Sequence, residues 1–148
     1  MPPVRVEVEH TVRHPVEAVF GFVADPANRP RWQENTQRVE MLTEGPTRLG
    51  TRWRETTRGV GTYETEIVAF EPDRLWVEEA DTERGRGRIT VAFAPQGAAA
   101  TRLEVTVEIH LRGARRLMGA ALAPLISRQL PRDLERLEAL LGEAAERS

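Results

Sequence analysis

Apolar and polar positions alternate from the start of the chain. Val4, Val6, Val8, His10 and Val12 fall on one face of residues 4–13 and mostly charged residues on the other. Period two of this kind predicts a half-buried strand. His14-Pro15 ends it, because the residue before proline prefers extended geometry. Pro15 then suits a first helical turn, where its missing N–H costs nothing. Val16, Val19, Phe20 and Val23 follow at helical spacing until Asp25-Pro26. A second short helix or turn runs from Ala27 to Trp32.

Beyond Trp32 the pattern returns to strands with turn punctuation. Val39 and Met41 lie in a strand that runs toward Gly45-Pro46, and Thr51 to Arg58 form the next. Gly59-Val60-Gly61 reads as a tight connection. Tyr63 to Phe70 and Leu75 to Ala80 are two further strands, separated by Glu71-Pro72-Asp73. Asp81 to Gly87 is polar and glycine-bearing, so it reads as a turn. Ile89, Val91 and Phe93 alternate, and Pro95-Gln96-Gly97 closes that strand. Leu103, Val105, Val107, Ile109 and Leu111 form the clearest alternation of all.

From Gly113 onward the period becomes helical. Leu122, Ile126, Leu130, Leu134, Leu137 and Leu141 recur at spacings of three and four, which predicts one long amphipathic helix. Pro124 and Pro131 interrupt it, and each removes one intrahelical hydrogen bond, so a kink or break is expected. Seven antiparallel strands present one apolar face, and one long helix can lie across it. Where such a sheet curves strongly, a cavity is expected between helix and sheet.

Composition narrows the function classes. The 148 residues carry a net charge of -2, with 40% hydrophobic and 30% charged residues. That suits a folded single domain and not a disordered chain. A near-neutral balance argues against nucleic acid as the main partner. No apolar run is long enough for a membrane span, and the N-terminus lacks a secretory h-region, so a cytoplasmic location is expected. Cysteine is absent, which removes disulfides and thiolate chemistry. All 21 basic residues are Arg, so Schiff-base chemistry through Lys is excluded.

Several motifs carry a resemblance. They are Val8-Glu9-His10-Thr11-Val12, His14-Pro15-Val16-Glu17-Ala18-Val19-Phe20, Val23-Ala24-Asp25-Pro26 with Trp32 shortly after, Leu49-Gly50-Thr51, and Phe70-Glu71-Pro72. The Gly97–Leu103 turn into a long strand and the C-terminal helix complete the set. The chain resembles the START-like or SRPBCC superfamily, the helix-grip fold of the birch pollen allergen, and within it the polyketide cyclase/dehydrase-like branch. The resemblance implies an α+β helix-grip fold: a curved seven-stranded antiparallel sheet, two short helices after the first strand, and a long C-terminal helix across the sheet. It also implies that residues 1–148 form a single START-like ligand-binding domain.

Candidate chemistry is sparse. The three histidines, His10, His14 and His110, lack metal-ligand spacing, so no metal site is expected. His10 lies in the apolar register and reads either as a core or rim histidine or as a base lining a cavity. His110 should face solvent. Ser127 has no nucleophile-elbow context. The central strands mix Arg52, Arg54, Glu55, Arg58, Glu64, Glu66, Glu78 and Glu79 with Trp53, Tyr63 and Trp76. Much of this charge can pair across strands on an exposed face. Polar groups left in an apolar cleft would instead orient a ligand. Glu55, on one strand face with Trp53, and Tyr63, on one face with Thr65 and Ile67, are the preferred candidates. Trp32 either plugs the open end of the sheet or belongs to a cavity mouth. Gln129 and Asp133 face either cavity or solvent.

The expected ligand-binding set is therefore Trp32, Trp53, Glu55, Tyr63, Trp76, Met118, Leu122 and Ile126, with no catalytic residue named and no cofactor expected. The expected partner is a small hydrophobic or amphipathic molecule (lipid, isoprenoid or polyketide-like), with no nucleic acid and no membrane span. The alternatives are a cofactor-independent cyclase or dehydratase and a non-catalytic interaction scaffold. A homodimer through an edge strand is compatible with the sequence.

Overall fold

A computed structural model describes residues 3–147. The seven strands are β1 (Val4–Val12), β2 (Thr36–Met41), β3 (Arg52–Thr57), β4 (Gly61–Glu71), β5 (Leu75–Thr82), β6 (Gly85–Pro95) and β7 (Thr101–Leu111). Helix α1 spans Val16–Val23, a short 3-10 turn Pro26–Asn28, and α2 Arg29–Trp32. A 3-10 segment, Gly113–Met118, leads into α3, Gly119–Arg147. The strands form one antiparallel, curved sheet in the order β1-β7-β6-β5-β4-β3-β2. This is the expected helix-grip α+β architecture.

The order has one consequence for the interior. β1 and β2 occupy opposite edges of the sheet, so the chain between them must cross its full width. Helices α1 and α2 make that crossing, and they carry Val19, Phe20, Val23, Arg29 and Trp32 into buried positions. A carboxylate cap turns the path between the two helices: the Asp25 side chain accepts the Ala27 N–H at 3.1 Å. Pro26 sits in the first turn that follows, where it sacrifices no hydrogen bond.

The two faces of the sheet differ as alternation predicts. On the outer face, Arg5 pairs with Glu108, Arg52 with Glu64, Arg54 with Glu40, Arg88 with Glu79 and Arg102 with Glu104. These are exposed pairs, each worth at most about 1 kcal/mol. The inner face packs Val6, Val12, Trp53, Ile67, Trp76, Val91, Phe93, Leu103, Val105 and Val107 into one core with the helices. Register shifts at Thr36/Arg38 and Ile67/Ala69 mark bulges, which bend strands locally.

Two segments differ from expectation. Gly85 to Gly87 are strand, not turn: Gly85 pairs with Leu111 and Thr82, and Gly87 with Ile109 and Ala80. A Cβ on Gly85 would lie 2.2 Å from the His110 carbonyl oxygen, so glycine there permits close strand approach. Of the kink or break expected in α3, the break is absent: the helix runs continuously through Pro124 and Pro131. A single absent hydrogen bond at each site leaves the neighbouring ladder bonds in place. Only the second half of α3 is deeply buried, through Asp133, Leu134, Leu137 and Leu141.

Candidate functional site

The centre of the inner face is charged. Arg29, at the start of α2, is 3% exposed, Glu55 on β3 is 4% exposed and Glu78 on β5 is 6% exposed. Arg29 Nη1 donates to Glu55 Oε1 at 3.1 Å and to Glu78 Oε2 at 2.9 Å, and Nη2 donates to Glu78 Oε1. One guanidinium thus bridges two carboxylates, and the formal charge of the trio is negative.

Aromatic side chains enclose it. Trp53 Nε1 donates to Glu55 Oε1 at 3.0 Å, and Trp76 Nε1 donates to Glu78 Oε1 at 2.8 Å. The Arg29 guanidinium lies 4.9 Å from the Trp53 ring centroid and 5.8 Å from that of Trp76. Cation–π attraction of this kind strengthens when water is excluded. The second Glu55 oxygen accepts from Tyr63 Oη at 3.0 Å and from Thr57 Oγ1 at 3.3 Å. Glu55 and Tyr63 are direct cross-strand partners.

The electrostatics follow from burial. Desolvation works against the Arg29 charge, but Glu78 and Glu55 outweigh it and hold the guanidinium more firmly protonated than in water. Burial raises the Tyr63 phenol above the ordinary tyrosine range, and the Glu55 charge adds to that, with the Thr57 hydrogen bond opposing. Tyr63 is therefore a neutral donor to a carboxylate. Three buried polar atoms in this part of the core have no protein partner among the described residues: Arg29 Nε, Trp32 Nε1 and Thr65 Oγ1. Thr65 is the cross-strand neighbour of Trp53.

Of the eight residues expected from sequence, Trp53, Glu55, Tyr63 and Trp76 come together in this network. Trp32 is buried in the same core. Ile126 is half-buried and packs on the core beside Ala123 and Leu130. Leu122 is half-buried, and Met118 is 62% exposed at the end of the 3-10 segment. Sequence reasoning missed Arg29 as a site residue and did not single out Glu78. A usable signal was present: Trp53-Arg54-Glu55 and Trp76-Val77-Glu78 repeat a Trp-x-Glu spacing. Residues two apart in a strand share a face, so each indole can donate to its own carboxylate.

Two open clefts lie elsewhere. One, of about 490 Å³, is lined by Arg13, His14, Glu135, Glu138, Ala139 and Gly142. The other, of about 380 Å³, runs between α1 and the β2–β3 loop, with Phe20 and Pro46 among its walls. Phe20 begins an aromatic chain that leads inward. Its ring is 5.5 Å from Phe70, Phe70 is 6.3 Å from Trp76, and Trp76 is 6.1 Å from Trp53. Asp133 is not a free polar spot: its Oδ1 accepts the Glu34 N–H at 3.2 Å and the Gln129 amide at 2.9 Å. His110 is exposed and His10 half-buried, with His10 Nε2 unpartnered.

Comparison with known proteins places this geometry. A family described as polyketide cyclase / dehydrase and lipid transport matches residues 3–142. No curated protein matches the sequence. Among solved structures, TTHA0849 from Thermus thermophilus superposes with a TM-score of 0.76 at 19% identity, covering 95% of this chain and 98% of that one. The Zhui aromatase/cyclase from Streptomyces sp. R1128 gives 0.72 at 21% identity, covering 97% and 94%. A START superfamily protein from Mycobacterium smegmatis gives 0.69 at 15% identity, covering 97% and 99%. At these identities the likeness to solved structures concerns the fold. With the family match extending over nearly the whole chain, the protein belongs to the polyketide cyclase / dehydrase and lipid transport family.

Proposed function

We propose that residues 1–148 form one domain, a cytoplasmic carrier or sensor that binds a small hydrophobic or amphipathic molecule between the sheet and α3. A lipid, isoprenoid or polyketide-like molecule fits this reading. The observation that carries it is the buried Arg29–Glu55–Glu78 network inside an aromatic wall. Buried ion pairs recover their desolvation cost poorly, and an apolar core of equal volume is often at least as stable. A polar network in that position, with Arg29 Nε, Trp32 Nε1 and Thr65 Oγ1 unpartnered, suits a ligand that brings its own acceptor oxygen. A ligand burying about 300 Å² of apolar surface gains on the order of 7 kcal/mol before the costs of association.

A second reading rests on the Tyr63–Glu55 hydrogen bond. A neutral phenol donating to a carboxylate beside a fixed guanidinium is a chemically sufficient set for cofactor-independent cyclisation or dehydration. Arg29 would polarise a carbonyl, and Tyr63 with Glu55 would move the proton.

Native mass spectrometry of the purified protein tests the binding reading, supported by thermal-shift measurements with fatty acids, isoprenoids, flavonoids and aromatic polyketides. A retained molecule, or a rise in melting temperature that grows with ligand concentration, is the expected result. No retained molecule and no shift from any class would defeat the reading and leave the scaffold alternative. Product formation from a polyketide-like substrate, lost in Tyr63→Phe, would favour the enzyme.

A further inference from the structure

We propose that the Gly113–Met118 segment, the first half of α3 and the β3–β4 turn form a peripheral docking surface for an anionic phospholipid bilayer. Bare aliphatic side chains concentrate there. Leu117 is 76% exposed, Met118 62%, Leu125 60% and Val60 42%. Ala114, Ala120, Ala121 and Pro124 are exposed between them. The turns belong to one end of the sheet: Arg84, in the β5–β6 turn, donates through its side chain to the Gly59 carbonyl, and the Arg112 N–H donates to the Arg84 carbonyl at 2.9 Å.

Charge selects the occupant. Residues 109–132 contain Arg112, Arg115, Arg116, Arg128 and Arg132 and no Asp or Glu, in a chain whose net charge is -2. On the outer sheet face, Arg5, Arg52, Arg54, Arg88 and Arg102 are paired with glutamates, while Arg38 and Arg86 have no acidic partner among the described residues. Among the described residues, Arg58, Arg115, Arg128 and Arg132 have no acidic partner, and Arg116 donates only to the Gly113 carbonyl. In this segment Arg112 is the exception, paired with Asp81. Unpaired guanidinium groups around exposed Leu and Met match the two layers of a bilayer interface. The aliphatic side chains reach the acyl boundary, and each planar guanidinium can hold a phosphate through two hydrogen bonds. No helix among the described residues is long and apolar enough to cross a membrane, so the contact is peripheral.

Co-flotation of the full chain with vesicles tests this, using phosphatidylcholine and phosphatidylglycerol in equal parts against phosphatidylcholine alone. The anionic vesicles are expected to bind at least about tenfold more protein, with the difference falling as salt rises. Arg115→Glu with Arg116→Glu, and separately Leu117→Ser with Met118→Ser, should each reduce flotation by about tenfold or more. Because all four side chains are exposed, the melting temperature should stay unchanged. Arg102→Glu, on the outer sheet face, should leave flotation intact. Absent flotation, equal flotation with neutral vesicles, or full flotation of both double variants would overturn the proposal. So would self-association that the same variants abolish, because a second copy would then cover this face. Ligand binding is read separately in solution, so either proposal can fail alone.

Discussion

Arg29 and Glu78 face each other as a two-point ion pair, with Arg29 Nη1 on Oε2 at 2.9 Å and Nη2 on Oε1. The pair joins α2, which crosses between the sheet edges, to β5 near the middle of the sheet. It therefore fixes where the crossing segment sits as well as the charge inside.

Removing both partners should cost less than the two single removals added together. Arg29→Met leaves two carboxylates buried without their cation, and the expected loss is about 3–5 kcal/mol. Glu78→Gln leaves Arg29 with Glu55 and should cost less. In urea denaturation, the Arg29→Met/Glu78→Gln double variant is expected to lose less than the sum of the single losses. Strict additivity would mean that the two side chains do not act as a pair.

Tyr63 is the single tyrosine, so its ionisation can be followed directly by ultraviolet absorbance. Burial and the Glu55 charge raise its folded value above the unfolded value of about 10. The folded state thus holds the phenol proton more tightly than the unfolded state. The stability this contributes is complete below about pH 10 and is lost as pH rises toward the folded value. Phenolate absorbance should appear only as the protein unfolds at high pH. A reversible native titration near pH 10 would contradict the buried Tyr63–Glu55 bond. Tyr63→Phe removes one donor from a charged acceptor and should cost about 1.5–3 kcal/mol at neutral pH.

Much of this architecture was legible from residue order. Strict alternation assigned β1 and β7, and it placed Trp53 with Glu55, and Tyr63 with Thr65 and Ile67, on shared faces. Arg29 was not legible as an interior residue. It sits in a short Pro-flanked helix with no periodicity, and its burial depends on β1 and β2 lying at opposite edges. Non-local pairing of that kind leaves no mark on local pattern. The stripe from Leu122 to Leu141 identified an amphipathic helix, but periodicity does not say which half meets the sheet. Gly85 and Gly87 looked like turn residues because glycine serves both turns and close strand contacts.

Two glycines in one strand should respond differently to the same change. Gly85→Ala places a Cβ 2.2 Å from the His110 carbonyl oxygen, so backbone of β6 or β7 must move. A Cβ on Gly87 meets nothing within 4 Å. Gly85→Ala is expected to lower stability by about 2 kcal/mol or more, whereas Gly87→Ala should fall within about 0.5 kcal/mol of the parent. Equal melting temperatures for the two variants would count against the close β6–β7 contact.

Asp133 provides a pH signature of how α3 is fastened. Its carboxylate is buried on α3, and that burial raises its pKa, while the Gln129 and Glu34 hydrogen bonds and the Arg136 charge hold it down only in part. The folded state therefore binds this proton more tightly than the unfolded chain does. The resulting contribution to stability is fully present below the ordinary carboxylate range and is lost as pH rises through the raised folded value. Asn is the informative substitution, because its Oδ1 can still accept from Glu34 N and the Gln129 amide while carrying no charge to desolvate. Asp133→Asn should equal or exceed the parent in stability at neutral pH and lose the share of the acid-side pH dependence that Asp133 supplies. Asp133→Leu removes the acceptor shared by the Glu34 N–H and the Gln129 amide and should cost about 1 kcal/mol. Denaturant midpoints across the acid-to-neutral range for the three proteins decide it. An Asp133→Asn variant that is less stable at neutral pH and keeps the parent's pH profile would show that the charge itself, paired with Arg136, fastens the helix.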